Sequence, residues 1–292
     1  MFYDAHGSQL FERITTLPEY YPTRTERNIL ATFAEAIITM ARAGRPESLR
    51  LVELGAGNAS KTGILLDSIV RMQGEVLYTP VDISSEALDV ACESIASSLP
   101  DVRVEPVVAN YVTSPPRLNH VNGTTLAMYI GSSIGNFSPE DARTILRNLR
   151  SELRSGDALL LGTDMVKDEP TMVAAYDDGD GVTAAFNLNI LHRLNRELGA
   201  NFDLDKFCHR AVWNRAKSRI EMHLESMRDH EVCIASAQVN VHFAEGETIQ
   251  TENSYKFTPQ AIRILLEDVG FDLERTWMDD RAWFAVRLYS VA

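Results

Sequence analysis

The sequence predicts an α/β protein: a parallel sheet covered by helices and closed by a C-terminal antiparallel hairpin, joined to a second α+β layer. Three observations carry this expectation. Short apolar runs alternate with helix-periodic segments up to about residue 162; a glycine pair sits where the first such run meets the next helix; and the alternation stops after Lys167. Thr25 to Ala43 places Ile29, Leu30, Phe33, Ala36, Ile37 and Met40 at helical spacing and feeds a buried strand over Ser48 to Leu54. Gly55-Ala56-Gly57 ends that strand, Lys61 to Met72 reads as a helix, and Val76 to Val81 is a second strand finishing at Asp82. The crossover of such a β-α-β unit is expected to be right-handed. Helix Ser85 to Ser97, strands Val102 to Val108 and Thr124 to Ile130, helix Pro139 to Leu153 and strand Ala158 to Gly162 continue the pattern.

Beyond Lys167 the spacing predicts a helix over Thr183 to Glu197, then antiparallel strands over Ala211 to Asn214, Ser218 to Ser226 and Glu231 to Phe243. Thr258-Pro259 supplies an N-cap and a proline at the first helical position, opening a helix over Gln260 to Val269 that Gly270 closes. The runs Asp272 to Met278 and Trp283 to Val291 flank the turn Asp279-Asp280 and are expected to return as a hairpin to the edge of the first sheet.

Bulk properties narrow the function classes. The 292 residues are 45% hydrophobic with a formal net charge of −13, so a large core is affordable while an electrostatic grip on nucleic acid or anionic lipid is disfavoured. A small-molecule partner fits better, and a monomer is the simplest expectation. Cys92, Cys208 and Cys233 are odd in number and widely spaced, which predicts neither a disulfide framework nor a metal knuckle and points to reduced cytoplasm. The start lacks a charged segment leading into an apolar one, and no run of about 18 apolar residues occurs. The seven histidines show none of the spacings of a metal site.

Val52-Glu53-Leu54-Gly55-Ala56-Gly57 places two glycines at a strand-to-helix turn, where a ligand can approach backbone. A tight packing turn would look the same. An acidic residue before the glycines and Asp82 at the end of the next strand, suited to accept ribose hydroxyls, together suggest a bound nucleoside. Ser60 stands where a dinucleotide fingerprint requires its third glycine, which disfavours NAD. The pattern resembles the first motif of class I, Rossmann-like S-adenosylmethionine methyltransferases. In those enzymes a residue placed as Asn110 is here often contacts the adenine amine, and one placed as Tyr111 packs on the ring. Asn110 could equally cap the strand end. Gly131-Ser132-Ser133-Ile134-Gly135 contains a hydrolase-like spacing, without a histidine and acid at fitting order.

A more specific resemblance runs nearly end to end. Phe2-Tyr3-Asp4-Ala5-His6-Gly7-Ser8 and Leu17-Pro18-Glu19-Tyr20-Tyr21-Pro22-Thr23-Arg24-Thr25-Glu26 resemble the opening of the histidine-specific methyltransferase family of ergothioneine biosynthesis. Gly131 to Asn136, Leu160 to Asp164, Ala175 to Asp178, Gly181 to Asn187, Arg219 to Met222 and Thr251 to Phe257 follow in the family's order. The resemblance implies S-adenosylmethionine-dependent Nα-trimethylation of L-histidine to hercynine. It implies a methyltransferase domain over 25–166 and 256–292, and a substrate-binding domain over 1–24 and 167–255. It assigns Tyr3, Gly131, Asn136 and Tyr176 to the amine and carboxylate of the substrate, with Tyr3 and Tyr176 as the catalytic pair. Met222, Glu252 and Ser254 fall to the imidazole pocket, and Tyr20, Gly55, Gly57, Lys61, Asp82, Asn110 and Tyr111 to the cofactor. Asn110 departs from the aspartate common in the family: it keeps an acceptor and removes a charge.

The chemistry is compatible with these residue types. Methyl transfer from a sulfonium is an in-line displacement that needs positioning and exclusion of water, with no covalent nucleophile. A phenol with a pKa near 10 is a poor base for an ammonium, so Tyr3 and Tyr176 are assigned to orientation and the amine is expected to arrive deprotonated. Glu252 and Ser254 lie two apart in a strand-like segment and therefore share a face, where carboxylate and hydroxyl can address the two imidazole nitrogens. A solvated strand face has the same spacing, and Met222 alone reads as a core filler. Three alternatives remain open at this point: methylation of another aromatic amino acid such as tryptophan, a non-catalytic amino-acid or nucleoside sensor on the same scaffold, and a nicotinamide oxidoreductase.

Overall fold

The structure, a computed structural model, describes residues 4–45, 48–57, 61–119 and 122–291. Two compact units emerge: Met1–Thr23 with Val166–Lys256, and Arg24–Met165 with Phe257–Ala292. In chain order the elements are α1 (Ala5–Thr16), α2 (Tyr21–Arg42), β1 (Leu49–Leu54), α3 (Thr62–Gln73), β2 (Val76–Asp82), α4 (Ser85–Ser98), β3 (Val102–Val104), β4 (Val107–Val108), β5 (Thr124–Tyr129), α5 (Pro139–Glu152) and β6 (Ala158–Asp164). They continue with α6 (Glu169–Ala174), α7 (Val182–Leu198), β7 (Phe207–Asn214), β8 (Arg219–Ser226), β9 (His230–Ile234), β10 (Val239–Phe243), β11 (Thr248–Tyr255), α8 (Pro259–Leu266), β12 (Phe271–Met278) and β13 (Phe284–Val291).

The sheet unit orders its strands β12-β13-β6-β5-β1-β2-β3, with β4 also on β2. Strands β1 to β6 pair in parallel, and β13 lies antiparallel against both β6 and β12, so the hairpin closes the sheet as expected. All six residues of β1 and all six of β5 are buried, as strands covered on both faces of a parallel sheet must be, with Arg50 and Glu53 the charged residues among them. Their core joins Leu51, Leu126, Met128, Leu160 and Phe284 to Leu30, Ile37 and Ile38 of α2 and to Leu65, Leu66 and Ile69 of α3. The α/β class predicted above, a parallel Rossmann-like sheet closed by a C-terminal antiparallel hairpin, is the class observed.

In the α+β unit, β7, β8 and β11 form an antiparallel sheet and β9 with β10 a separate hairpin. One cluster packs Leu10 and Ile14 of α1 on Val182 and Phe186 of α7, with Met222; a second joins Leu191, Phe202, Phe207, Leu224, Val232 and Phe243. Asp4 caps α1 through the Gly7 amide and also accepts from Asn189 and Arg196 at 2.9 and 2.7 Å. Burial pushes that carboxyl up, but the hydrogen bonds from Arg196, Gly7 and Asn189 outweigh it and hold the group well below the usual range.

Several boundaries differ from those predicted. The single strand expected over Val102 to Val108 is two short strands, because Pro106 between them has no N–H to offer the ladder. The run Glu231 to Phe243 folds back on itself at the 3-10 turn Ala235–Ala237, where Gln238 takes a left-handed φ of 55°. Strand β7 begins at Phe207 rather than Ala211, and the short α6 was not foreseen. Helix α8 stops at Leu266, with Asp268 left-handed before Gly270, so the three residues after it do not continue the helix.

Candidate functional site

In the sheet unit the predicted cofactor residues gather where β1, β2 and β5 end. Gly55 and Gly57 have φ of 67° and 53°, and a Cβ on Gly55 would come 3.1 Å from the Tyr111 hydroxyl. Both conformations suit glycine, and the close approach keeps the turn bare beside an aromatic ring. Asp82 follows the apolar run of β2 and is part-exposed; its Oδ1 accepts the Ser84 amide at 3.0 Å, and no donor among the described residues reaches its other oxygen. Asn110 is exposed, and its Oδ1 takes the Val112 amide at 3.2 Å, so it does cap its own turn. Burial, and then the charge of Asp82, push the Tyr111 phenol up to about 12. At neutral pH it is therefore a neutral ring and hydroxyl beside the glycine turn. Bare backbone, a ribose-competent carboxylate and an aromatic surface fit an uncharged adenosine moiety, and no phosphate-binding third glycine is needed. Ser60 lies outside the described residues.

Glu53 behaves differently from what its place in the motif suggests. Its carboxylate is buried and receives Thr62 Oγ1 at 2.8 and 2.7 Å and the Tyr78 hydroxyl at 2.5 Å, tying β1 to α3 and β2. Burial pushes it up to about 7 against the opposing effect of those hydrogen bonds and of Lys61. It shapes the turn and has no face left for a ligand.

Lys61 and Gly131 meet at a residue that sequence reasoning left without a role. Glu26, fully buried, accepts Lys61 Nζ at 2.5 Å and the Gly131 amide at 2.9 Å on each oxygen. It occupies space that exists because residue 162 is glycine: a Cβ there would lie 2.0 Å from Glu26 Oε1. Gly131 and Ser132 are successively left-handed, at φ of 77° and 55°, and Ser132 Oγ accepts the Asp164 amide at 3.0 Å. The serine at the nucleophile position of the hydrolase-like string is Ser133, whose Oγ donates to the Ile130 carbonyl at 3.0 Å. Asn136 ends the 3-10 turn Ser133–Asn136 and is exposed. The only early signal for Glu26 was its position in the Tyr20-to-Glu26 string.

In the α+β unit, β11 carries the predicted imidazole residues. Its register slips between Gln250 and Glu252, where Thr251 Oγ1 bonds the Met222 carbonyl at 3.0 Å, and from there Glu252 pairs with Met222 and Ser254 with Ile220. The bulge re-aims the strand, so Glu252 and Ser254 share a face as the spacing required. Tyr176 Oη and Ser254 Oγ are 2.8 Å apart, and Lys256 Nζ donates to both at 2.8 Å. The ammonium also stands 4.5 Å from the centre of the Tyr176 ring. Lys256, buried and two residues past Ser254, was in the quoted string without a role, although the two-residue repeat would have put it on this face.

Glu252 is half-buried and has no hydrogen-bond donor among the described residues. Burial pushes its carboxyl up to about 7, and the charge of Lys256 opposes that rise. Met222 is buried in the cluster with Val182 and Phe186, so it serves as packing whatever else it lines. Tyr20 belongs to this aromatic group, its ring 6.1 Å from Tyr176 and 6.3 Å from Phe11. Tyr176 is set from behind: His209 Nε2–H donates to its carbonyl at 2.8 Å, a tautomer required by the Asn187 amide donating to His209 Nδ1 at 2.9 Å. Tyr3 lies outside the described residues.

Residues 1–291 match the family described as "Histidine-specific methyltransferase, SAM-dependent". The chain belongs to this family. It is 42% identical over 287 residues to the "Histidine N-alpha-methyltransferase" of Mycolicibacterium smegmatis, covering 98% of this chain and 88% of that relative. It is 28% identical to "Ergothioneine biosynthesis protein 1" of Neurospora crassa, over 95% of this chain and 31% of that longer protein. Among solved structures, the magnesium protoporphyrin IX methyltransferase of Synechocystis PCC 6803 with bound SAH aligns at a TM-score of 0.51 and 12% identity, covering 100% of this chain and 97% of that one. That last likeness speaks to the fold alone. Family membership makes the chain an S-adenosylmethionine-dependent methyltransferase and removes the oxidoreductase alternative. Among the described residues no helix is long and apolar enough to cross a membrane.

Proposed function

We propose that this chain methylates the α-nitrogen of free L-histidine, three times in succession to hercynine, as the first step of ergothioneine biosynthesis. The observation that carries the choice of substrate is Glu252: a half-buried carboxyl without a hydrogen-bond donor among the described residues, on the strand face it shares with the Ser254 hydroxyl. An imidazole needs one acceptor for its N–H and one donor for its bare nitrogen, and this pair offers both. Tryptophan, with one N–H and no ring acceptor, would leave half of it unmatched.

Gly55, Gly57, Lys61, Asp82, Asn110, Tyr111 and Tyr20 are the residues assigned to S-adenosylmethionine, which when bound supplies an electrophilic methyl carbon. Asp82 would accept from the ribose, Asn110 and Tyr111 would hold the adenine, and the bare turn at Gly55 would admit the methionine portion. Gly131, Asn136, Tyr176 and Tyr3 are assigned to the amine and carboxylate. Tyr176, whose hydroxyl already receives the Lys256 ammonium, acts as an acceptor that orients the amine. The amine would enter as the free base, its lone pair open to the methyl; the protons shed after the first and second transfers leave to solvent, and the third transfer gives a quaternary ammonium with no proton to lose. A monomeric, cytoplasmic enzyme completes the reading.

Incubation with S-adenosylmethionine and a panel of free amino acids, followed by mass measurement of products, tests it. The expected result is mono-, di- and trimethylated histidine, each adding one methyl mass. Equal turnover of tryptophan, or cofactor binding with no product from any amino acid, would overturn the reading in favour of a different acceptor or a sensor.

A further inference from the structure

We infer that Lys256 sets the direction of the hydrogen bonds in the imidazole pocket, making Ser254 a compulsory donor and thereby selecting a ring that carries an acceptor nitrogen. This rests on the histidine reading and adds to it a positioning residue that acts through Ser254.

The argument is a proton count in the triangle of Tyr176, Ser254 and Lys256, whose three sides are each 2.8 Å. An ammonium only donates, so both hydroxyl oxygens accept from Lys256. The remaining side, between the hydroxyls, consumes one of their two protons. A phenol is much the more acidic of the two and so the better donor, which sends the Tyr176 proton to Ser254. Ser254 Oγ then accepts twice, from Lys256 and Tyr176, and both its lone pairs are engaged. Its own proton is left to point elsewhere, on the face it shares with Glu252. The pocket accordingly presents one donor, Ser254, and one acceptor, Glu252.

Nothing about Ser254 alone would fix this direction, because a serine hydroxyl donates or accepts as its neighbour requires. Without the ammonium, one lone pair of Ser254 is freed, so the hydroxyl could accept as well as donate, and the pocket would lose its preference for an acceptor nitrogen. Lys256 is buried at 2% exposure, and a cation so placed is costly unless it is held by such partners.

The test compares kcat/KM for histidine with that for β-(2-thienyl)alanine, a ring of similar shape without a hydrogen-bonding nitrogen pair, in the unmodified protein and in Lys256→Met. The ratio of histidine to analogue is expected to fall at least tenfold in the variant, carried mainly by KM for histidine. In a cycle with Ser254→Ala, adding Lys256→Met should change the ratio by less than about twofold, because the two act through one hydroxyl. Equal losses for both substrates, leaving the ratio intact, would mean that Lys256 only supports the strand and would overturn the proposal. So would additivity with Ser254→Ala, which would place its effect on Glu252 instead. If Lys256→Met does not fold, Lys256→Gln, which keeps a donor without the charge, carries the same comparison and is expected to retain an intermediate ratio. Failure of the histidine reading itself would show differently, as an absence of histidine preference in the unmodified protein.

Discussion

Glu53 at the end of β1 and Glu252 in β11 are both carboxyls that burial raises to about 7, yet their surroundings are opposite. Glu53 is saturated by hydroxyls of Thr62 and Tyr78, whereas Glu252 has no hydrogen-bond donor among the described residues, and the Lys256 charge favours its ionised form. A raised pKa therefore does not mark a ligand site; the missing donor does. Glu53 belongs to the sheet unit's architecture, and Glu252 has no hydrogen-bond donor among the described residues.

The sharpest way to break this contrast is Glu252→Ala. Losing a charge-assisted hydrogen bond to the imidazole should lower kcat/KM for histidine on the order of 100-fold, while the melting temperature holds or rises, because a half-buried carboxyl without a donor among the described residues is removed. A fall in melting temperature with histidine turnover intact would reverse the two roles. Adding Met222→Val should ease larger aromatic amino acids relative to histidine, read by competition between histidine and tryptophan; an unchanged preference would take both residues out of the specificity argument.

The complementary variant, Glu53→Ala, strands two buried hydroxyls and should cost about 2 kcal/mol of stability in denaturant titration, with the preference for histidine unchanged. A Gly162→Ala change should cost about 1–3 kcal/mol by driving a methyl into Glu26, and should lower the affinity for S-adenosylmethionine in calorimetry as Lys61 loses its partner. Retained stability and cofactor affinity would show that Glu26 tolerates displacement.

Proton linkage separates the two carboxyls more gently. Each is protonated more readily folded than unfolded, where its value is 4.5, so its contribution to stability is fully present below pH 4.5 and is lost as pH rises through about 7. Glu53→Gln should flatten that part of the melting-temperature profile relative to the unmodified protein. Histidine turnover runs the other way, rising through about pH 7 as Glu252 ionises, and Glu252→Gln should remove this component. The smallest effect is expected at Arg215, paired with Glu169 at 3.2 Å in largely exposed positions; Arg215→Ala should change stability by less than about 0.5 kcal/mol.

Periodicity and punctuation made much of this molecule legible in advance. The alternation of buried runs and amphipathic helices, the Thr258-Pro259 helix start and the closing hairpin are local signals, because backbone geometry alone imposes their periods of two and 3.6 residues. The two-residue spacing of Glu252 and Ser254 likewise announced a shared face. Other features depended on chain segments far apart in sequence. Glu26 acquires meaning only when Gly131, Lys61 and the space at Gly162 converge on it, and Glu53 is claimed by Tyr78 from the neighbouring strand. Hydrogen bonds are satisfied by whatever lies within about 3 Å, a distance that sequence separation does not report. Residue types and their order thus determined the fold class and the family on their own. Which carboxyl is spent inside the protein, and which stands ready for a substrate, was decided by tertiary packing, because burial and the supply of donors are properties of the folded neighbourhood.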